Sequence, residues 1–191
     1  MTTTWPVQKM PLTVEALVQA VTAGAKPTYL AFPDWGGEPP LGSLAPWSPT
    51  PFETHAGHFG SAEHHFMHGK ALLFGDHAVA AKILRAVSAG QARELGRRVT
   101  GFREEVWVAE RARVMDEANR TKFFALPKLA DYLSSTWPAV LVQVSALDTV
   151  WSSGLDLGDP FLPQPRRWPG QNLVGFSLMK VREALRTRVV R

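Results

Sequence analysis

Residues 61–74 read SAEHHFMHGKALLF, a capped and periodic stretch from which the rest of the fold can be worked outward. Ser61 is a good N-cap, because its hydroxyl can accept a backbone N–H of the first turn, and Gly75 stands where helices commonly stop. Between them the apolar residues recur at helical spacing. Counting from Glu63, positions i+3, i+4 and i+7 are Phe66, Met67 and Lys70, all on one face. A carboxylate and an amine thus share the stripe that carries the large apolar side chains, about 10 Å apart along the axis. Charges on such a face are costly unless paired or unless the face borders a cavity. Either the stripe lines a pocket, or both groups sit at its edge with Lys70 reaching out to water.

Helical signals continue on both sides. Asp76 can cap a helix to about Val87, and Ser88 one through Arg98. A long helix is expected over residues 103–124 and a short one over 127–133. In the long helix Trp107, Arg111, Met115 and Ala118 share a face, so Arg111 sits among apolar neighbours and can pack its stem on the Trp ring. Val140–Val144, after a Trp-Pro breaker, is the best strand, and Asn172 can cap a final helix to about Arg188 with the stripe Val174, Leu178, Val181 and Leu185. Upstream, Thr13 can cap a helix to about Ala23, and Thr28–Phe32 is a short strand. Residues 1–12 read as a loosely structured leader. The proline-rich stretches 33–51 and 152–170 read as long irregular loops, a kind that often carries function. The expected fold is α+β, mostly helical, one domain with a few short strands.

Composition narrows the function. A length of 191 residues, 45% hydrophobic and 20% charged, suits one globular domain rather than a disordered chain. The absence of cysteine excludes disulfides, thiol nucleophiles and iron–sulfur clusters, and fits a reducing, cytoplasmic location. No apolar run approaches the roughly 18 residues of a membrane span, and the first residues lack the basic-then-apolar pattern of a signal peptide. A net charge of +4 suits phosphate-bearing ligands, and because the basic residues are scattered, dedicated nucleic-acid binding is only weakly suggested. His64 and His68 have the i, i+4 spacing of a helical zinc pair, with His55, His58 and His65 nearby. Glu-His-His-x-x-His is not the metalloprotease signature and no further ligand is in register, so these read as surface histidines and no metal is expected. Phosphate-loop, dinucleotide and nucleophile-elbow motifs are missing.

Several blocks, in order, resemble the NADAR-domain (YbiA-like) family. They are Leu44-Ala45-Pro46-Trp47-Ser48-Pro49-Thr50-Pro51-Phe52; Gly57, then Phe59 through Met67 with Lys70-Ala71; Leu95-Gly96-Arg97; Trp107, Arg111 and Met115 with Lys122-Phe123; Leu141-Val142 through Asp148 to Trp151 and Gly154; and Gly170 through Gly175 with Leu178-Met179 and Arg182-Glu183. The likeness runs from about Thr28 to the end, leaving residues 1–27 as an extension outside it. Four positions depart from the family pattern: Pro46 replaces an Asn, Gly69 a Gln, Gln143 an acid and Ser152 a Gly. The first three alter polar groups that can touch a ligand.

The resemblance implies an N-glycosidase that needs no cofactor. One type of member hydrolyses early riboflavin-pathway intermediates, releasing ribose 5-phosphate from an aminopyrimidine. Another removes ADP-ribose from guanine bases. The partner is then a small phosphorylated ribosylamine or ADP-ribosylated nucleic acid, and the bond cleaved joins ribose C1 to an exocyclic amine. Such a glycosylamine can open to an imine, which gives Lys70 a role as amine nucleophile and Glu63 one as general acid/base. Asp148 would bind ribose hydroxyls or assist the base. Trp47, Trp107, Trp151 and Asn172 would contact substrate, with Arg111, Arg166 and Arg167 for phosphate. With the ring kept closed, Glu63 or Asp148 would instead activate water, and Lys70 would hold a hydroxyl or phosphate. The competing class is a non-catalytic module that binds ADP-ribose or a related nucleotide.

Overall fold

The computed structural model describes residues 10–189, so most of the expected leader, residues 1–9, lies outside the described residues. In chain order the elements are α1 Val14–Thr22, β1 Tyr29–Pro33, β2 Phe52–Thr54, β3 Gly57–Phe59, α2 Ala62–Leu73, α3 His77–Ile83, α4 Ala89–Arg97, α5 Glu104–Ala125, α6 Pro127–Ser135, β4 Val140–Val144 and α7 Leu173–Val189. This is the mostly helical α+β fold that the sequence implies. Single 3-10 turns at Gly42–Leu44 and Pro165–Arg167 interrupt the two proline-rich loops.

The capping residues do what their chemistry suggests. Thr13, Ser61, Asp76 and Ser88 accept N–H groups of Ala16, His64, Val79 and Gln91 at 3.1, 3.4, 2.9 and 3.2 Å. The Asp76 carboxylate also takes the N–H and hydroxyl of Thr100 at 2.9 and 2.8 Å, tying the start of α3 to the end of α4. Hydrogen bonds from Thr100 and Val79 hold its carboxyl below the usual range. Two expectations need correction. The helix from Asp76 stops at Ile83, not Val87: its last turn tightens as Arg85 and Ala86 donate to Lys82 and Ile83, and the Val87 N–H goes to Gln91 Oε1 at 2.7 Å. The β2–β3 hairpin, paired Phe52↔Phe59 to Thr54↔Gly57, falls between the first proline-rich loop and the helix from Ser61, where no element was expected. Each of its strands has only three residues, too short to display a period.

Contacts divide the chain into two units. One is contiguous, Pro46–Leu129, with α2 packed against α3, α4 and α5. Its core includes Phe59, Phe66, Ala71, Ile83, Val114, Met115 and Ala118. The other joins the chain up to Ala45 to the chain from Ala130 onward. There β1 and β4 pair in parallel, Tyr29↔Val140 through Pro33↔Val144, and all five residues of β4 are buried. The far edge of β4 is closed by Asn172, whose Nδ2 donates to the Leu141 carbonyl and whose Oδ1 accepts the Gln143 N–H, both at 2.9 Å. Asn172 does precede α7, but with φ at 52° its side chain is turned to the strand rather than to the helix's first turn. Arg182 of α7 is wholly buried, donating to Thr136 Oγ1 at 2.9 Å, and burial pushes its guanidinium down to about 10.

Candidate functional site

In the contiguous unit, α2 carries the two groups of greatest chemical interest. Glu63 lies in its first turn and is 4% exposed, fixed in place because its own N–H donates to the Pro46 carbonyl at 2.9 Å. Lys70 lies in the last turn and is half-buried. Its Nζ stands 4.6 Å from the ring centre of Phe102 and 5.1 Å from that of Trp107. Trp107 in turn packs against Phe66 at 5.4 Å. Lys70 therefore does not run free into water. Its amine is held below the usual lysine value, by burial first; Glu104 opposes this and Arg97 reinforces it. Arg111, one turn beyond Trp107, is half-buried on α5.

Position 69, where the family pattern has a Gln, is tightly packed. A Cβ on Gly69 would stand 2.9 Å from Val114 Cγ1 on α5, so a longer side chain needs that buried valine to move.

The other side of α2 is different. At 100° per residue Ser61 and His64 face away from Glu63, Phe66 and Lys70. They line an open cleft of about 580 Å³ with Trp47, Leu84, Ala86 and Gly90. Trp47 thus lies along this cleft, with the Arg93 guanidinium 5.3 Å from its ring.

The expectation of surface histidines is half wrong. His55 and His58 are exposed, but His64 and His68 are buried at 4% and 8%. The Ser61 hydroxyl meets His64 Nδ1 at 2.7 Å, and Nε2 lies 3.2 Å from the Ala86 carbonyl. That pattern makes Nε2 the protonated nitrogen and Nδ1 the acceptor. Burial lowers both groups, and burial aided by His68 and His55 brings His65 down to about 4. Spacing alone gave no sign of this, since an imidazole can satisfy itself inside a core when a hydroxyl and a carbonyl are in reach. Among the described residues no group of His, Asp and Glu is arranged to hold a metal.

The remaining candidates belong to the other unit. Asp148 follows β4, half-buried, and its Oδ1 accepts the N–H groups of Val150 and Trp151 at 2.9 and 2.8 Å, shaping the turn that presents Trp151. Asn172 is completely buried, with both ends of its amide on β4. Arg166 donates to Thr22 at 2.7 Å, and Arg167 lies on the Phe161 ring at 3.6 Å; both are exposed. Gln143 Oε1 and Ser152 Oγ, two of the family departures, are buried and make no hydrogen bond with the protein. Lys122, wholly buried in α5, has its amine pushed down to about 7 by burial. The sequence marks it only as part of a family block, because a lysine in a helical period carries no signal of its depth.

The NADAR domain matches residues 35–186. The N-glycosidase R617 of Acanthamoeba polyphaga mimivirus is 34% identical over 142 residues, covering 72% of this chain and 84% of that protein. The riboflavin biosynthesis protein VVA0006 of Vibrio vulnificus is 31% identical over 160 residues, 84% of this chain but 39% of that longer protein. The NMR structure of the E. coli protein YbiA superposes with a TM-score of 0.67 at 24% identity, covering 95% of this chain and 96% of that one. That likeness bears on the fold. No helix among the described residues is long and apolar enough to cross a membrane.

Proposed function

The chain belongs to the NADAR domain family, and on that premise we propose that it is an N-glycosidase cleaving the bond between ribose C1 and an exocyclic amine of a base. The observation that carries this reading is the half-buried Lys70 amine, walled by Phe102 and Trp107 and shifted toward its neutral form, on the same helix as the buried Glu63. The names of the relatives support the reaction class, since one is an N-glycosidase and another a riboflavin biosynthesis protein.

Two substrates follow, a phosphorylated ribosylaminopyrimidine and ADP-ribosylated guanine, with the first preferred. The sugar ring opens to an imine at C1. The neutral Lys70 amine adds to C1, and the base leaves as its free amine once it has taken a proton. Water then adds to the C1–Lys70 imine, releasing the sugar as an aldehyde and restoring Lys70. Glu63 moves the protons at the leaving amine and the attacking water. Trp107 and Arg111 of the same unit are proposed substrate contacts, and the catalytic domain is proposed to span residues 28–191.

A base-release assay tests the reading, comparing the two substrates with Glu63→Gln and Lys70→Ala as controls. Release from either substrate, lost in both variants and accompanied by a borohydride-trapped adduct on Lys70, is the expected result. Full activity in Lys70→Ala sinks the imine route. Tight ADP-ribose binding without release from any substrate replaces the enzyme by a binding module.

A further inference from the structure

The family blocks include Lys70 and Trp107 but not Phe102, which sits in the turn between α4 and α5. Its surroundings give it a definite place. Gly101 before it has φ at 68°, a left-handed turn that most side chains avoid. Phe102 then rests on Phe74, the residue that ends α2, with ring centres 5.2 Å apart. Phe74 and Lys70 are i+4 and i on one helix face. The Phe102 ring stands over the Lys70 Nζ from one direction while Trp107 approaches from α5. The ring, 41% exposed, is held by two contacts, the Phe74 ring and the Lys70 ammonium.

We propose that Phe102 is a positioning residue for Lys70: with Trp107 it forms an aromatic bracket that fixes the amine at the end of α2 and sets how readily that amine sheds its proton. This deepens the N-glycosidase reading and rests on it for its catalytic meaning. Aromatic faces attract the cation, so the bracket opposes the effect of burial. The other charged groups acting on Lys70 are Glu104 of α5, which favours the ammonium, and Arg97 of α4, which disfavours it. A catalytic amine has to be neutral to attack yet return to a defined place after each turnover. Two rings hold the amine in place while stabilising its ammonium form less than a directly paired carboxylate would.

The test reads Lys70 directly, without substrate. Lysines are reductively methylated with ¹³C, the Lys70 signal is assigned by its loss in Lys70→Arg, and its shift is followed against pH. Phe102→Leu keeps apolar bulk but removes the ring face, and should move the midpoint down by about half a pH unit. Phe102→Tyr should restore it. An unchanged or raised midpoint in Phe102→Leu, with near-ultraviolet circular dichroism unaltered, overturns the proposal, as does failure of the Tyr variant to restore the wild-type value. Kinetics separate this from the wider reading. If the midpoint moves as expected but no variant or wild type releases base, the bracket stands and the glycosidase assignment falls. If wild type is active, kcat in Phe102→Leu should fall several-fold at pH values above both midpoints, where Lys70 is neutral in either protein and only its placement differs, with little change in KM.

Discussion

Replacing Asn172 by Ala distinguishes a structural clamp from a substrate contact. The Asn172 side chain is completely buried and makes two hydrogen bonds of 2.9 Å to the edge of β4. Truncation strands the Gln143 N–H and the Leu141 carbonyl in a place without solvent. Each stranded group costs about 1–3 kcal/mol, so the pair costs about 2–6 kcal/mol. The backbone adds to this: φ is 52°, and Ala pays roughly 1–2 kcal/mol for the left-handed conformation that Asn tolerates. The sum is a large part of the roughly 5–15 kcal/mol that holds a domain together. Asn172→Gly loses the same two bonds without the steric term, so it should lie about 1 kcal/mol above Asn172→Ala. Urea unfolding followed by tryptophan fluorescence measures both, and the m-value checks that the denatured state is unchanged. A loss below about 1 kcal/mol in Asn172→Ala refutes the clamp. Retained stability with lost base release would make Asn172 a ligand contact instead.

Other perturbations have equally definite outcomes. Lys122 has its pKa lowered to about 7 in the fold against 10.5 for a free lysine, so the unfolded chain binds that proton more tightly. The penalty is complete below pH 7 and fades between about 7 and 10.5, so unfolding free energy should climb with pH through that window, and Lys122→Met should flatten the climb in denaturant titrations at several pH values. Ser152→Ala removes a buried hydroxyl that has no partner in the protein and should leave thermal stability unchanged or raise it by about 1 kcal/mol; a clear drop in Tm would mean that the hydroxyl is in use. Ser61→Ala removes the cap of α2 and strands His64 Nδ1, with an expected loss of about 2–4 kcal/mol by urea unfolding, most of which Ser61→Thr should recover.

Much of the fold was legible because its signals are local. Thr13, Ser61, Asp76 and Ser88 cap where their side-chain oxygens can reach a nearby N–H, and Val140–Val144 has the β-branched density of a buried strand. The site was legible only in part. The shared stripe of Glu63 and Lys70 follows from helical geometry, yet spacing could not tell a pocket wall from a helix edge. The Phe102 contact was hidden because it depends on a turn that brings together residues 32 apart in sequence. The depth of His64 and Lys122 was hidden for a related reason: burial of a polar group is decided by partners from other elements, such as the Ala86 carbonyl. Asn172 stands at the head of the final helix as expected, but that its side chain serves the neighbouring strand was hidden, since Asn favours both caps and left-handed backbone.

The pairing of β1 with β4 also has a timetable. The partners lie about 110 residues apart, and the contiguous unit Pro46–Leu129 is made between them. At 5–20 residues per second a ribosome needs roughly 6–20 seconds to deliver the second strand. That unit can close on itself during this interval, whereas Leu30 and Phe32 wait with no sheet to join. A newborn chain therefore carries an unmatched apolar strand for seconds, long enough for a chaperone to engage it or for two nascent chains to find each other.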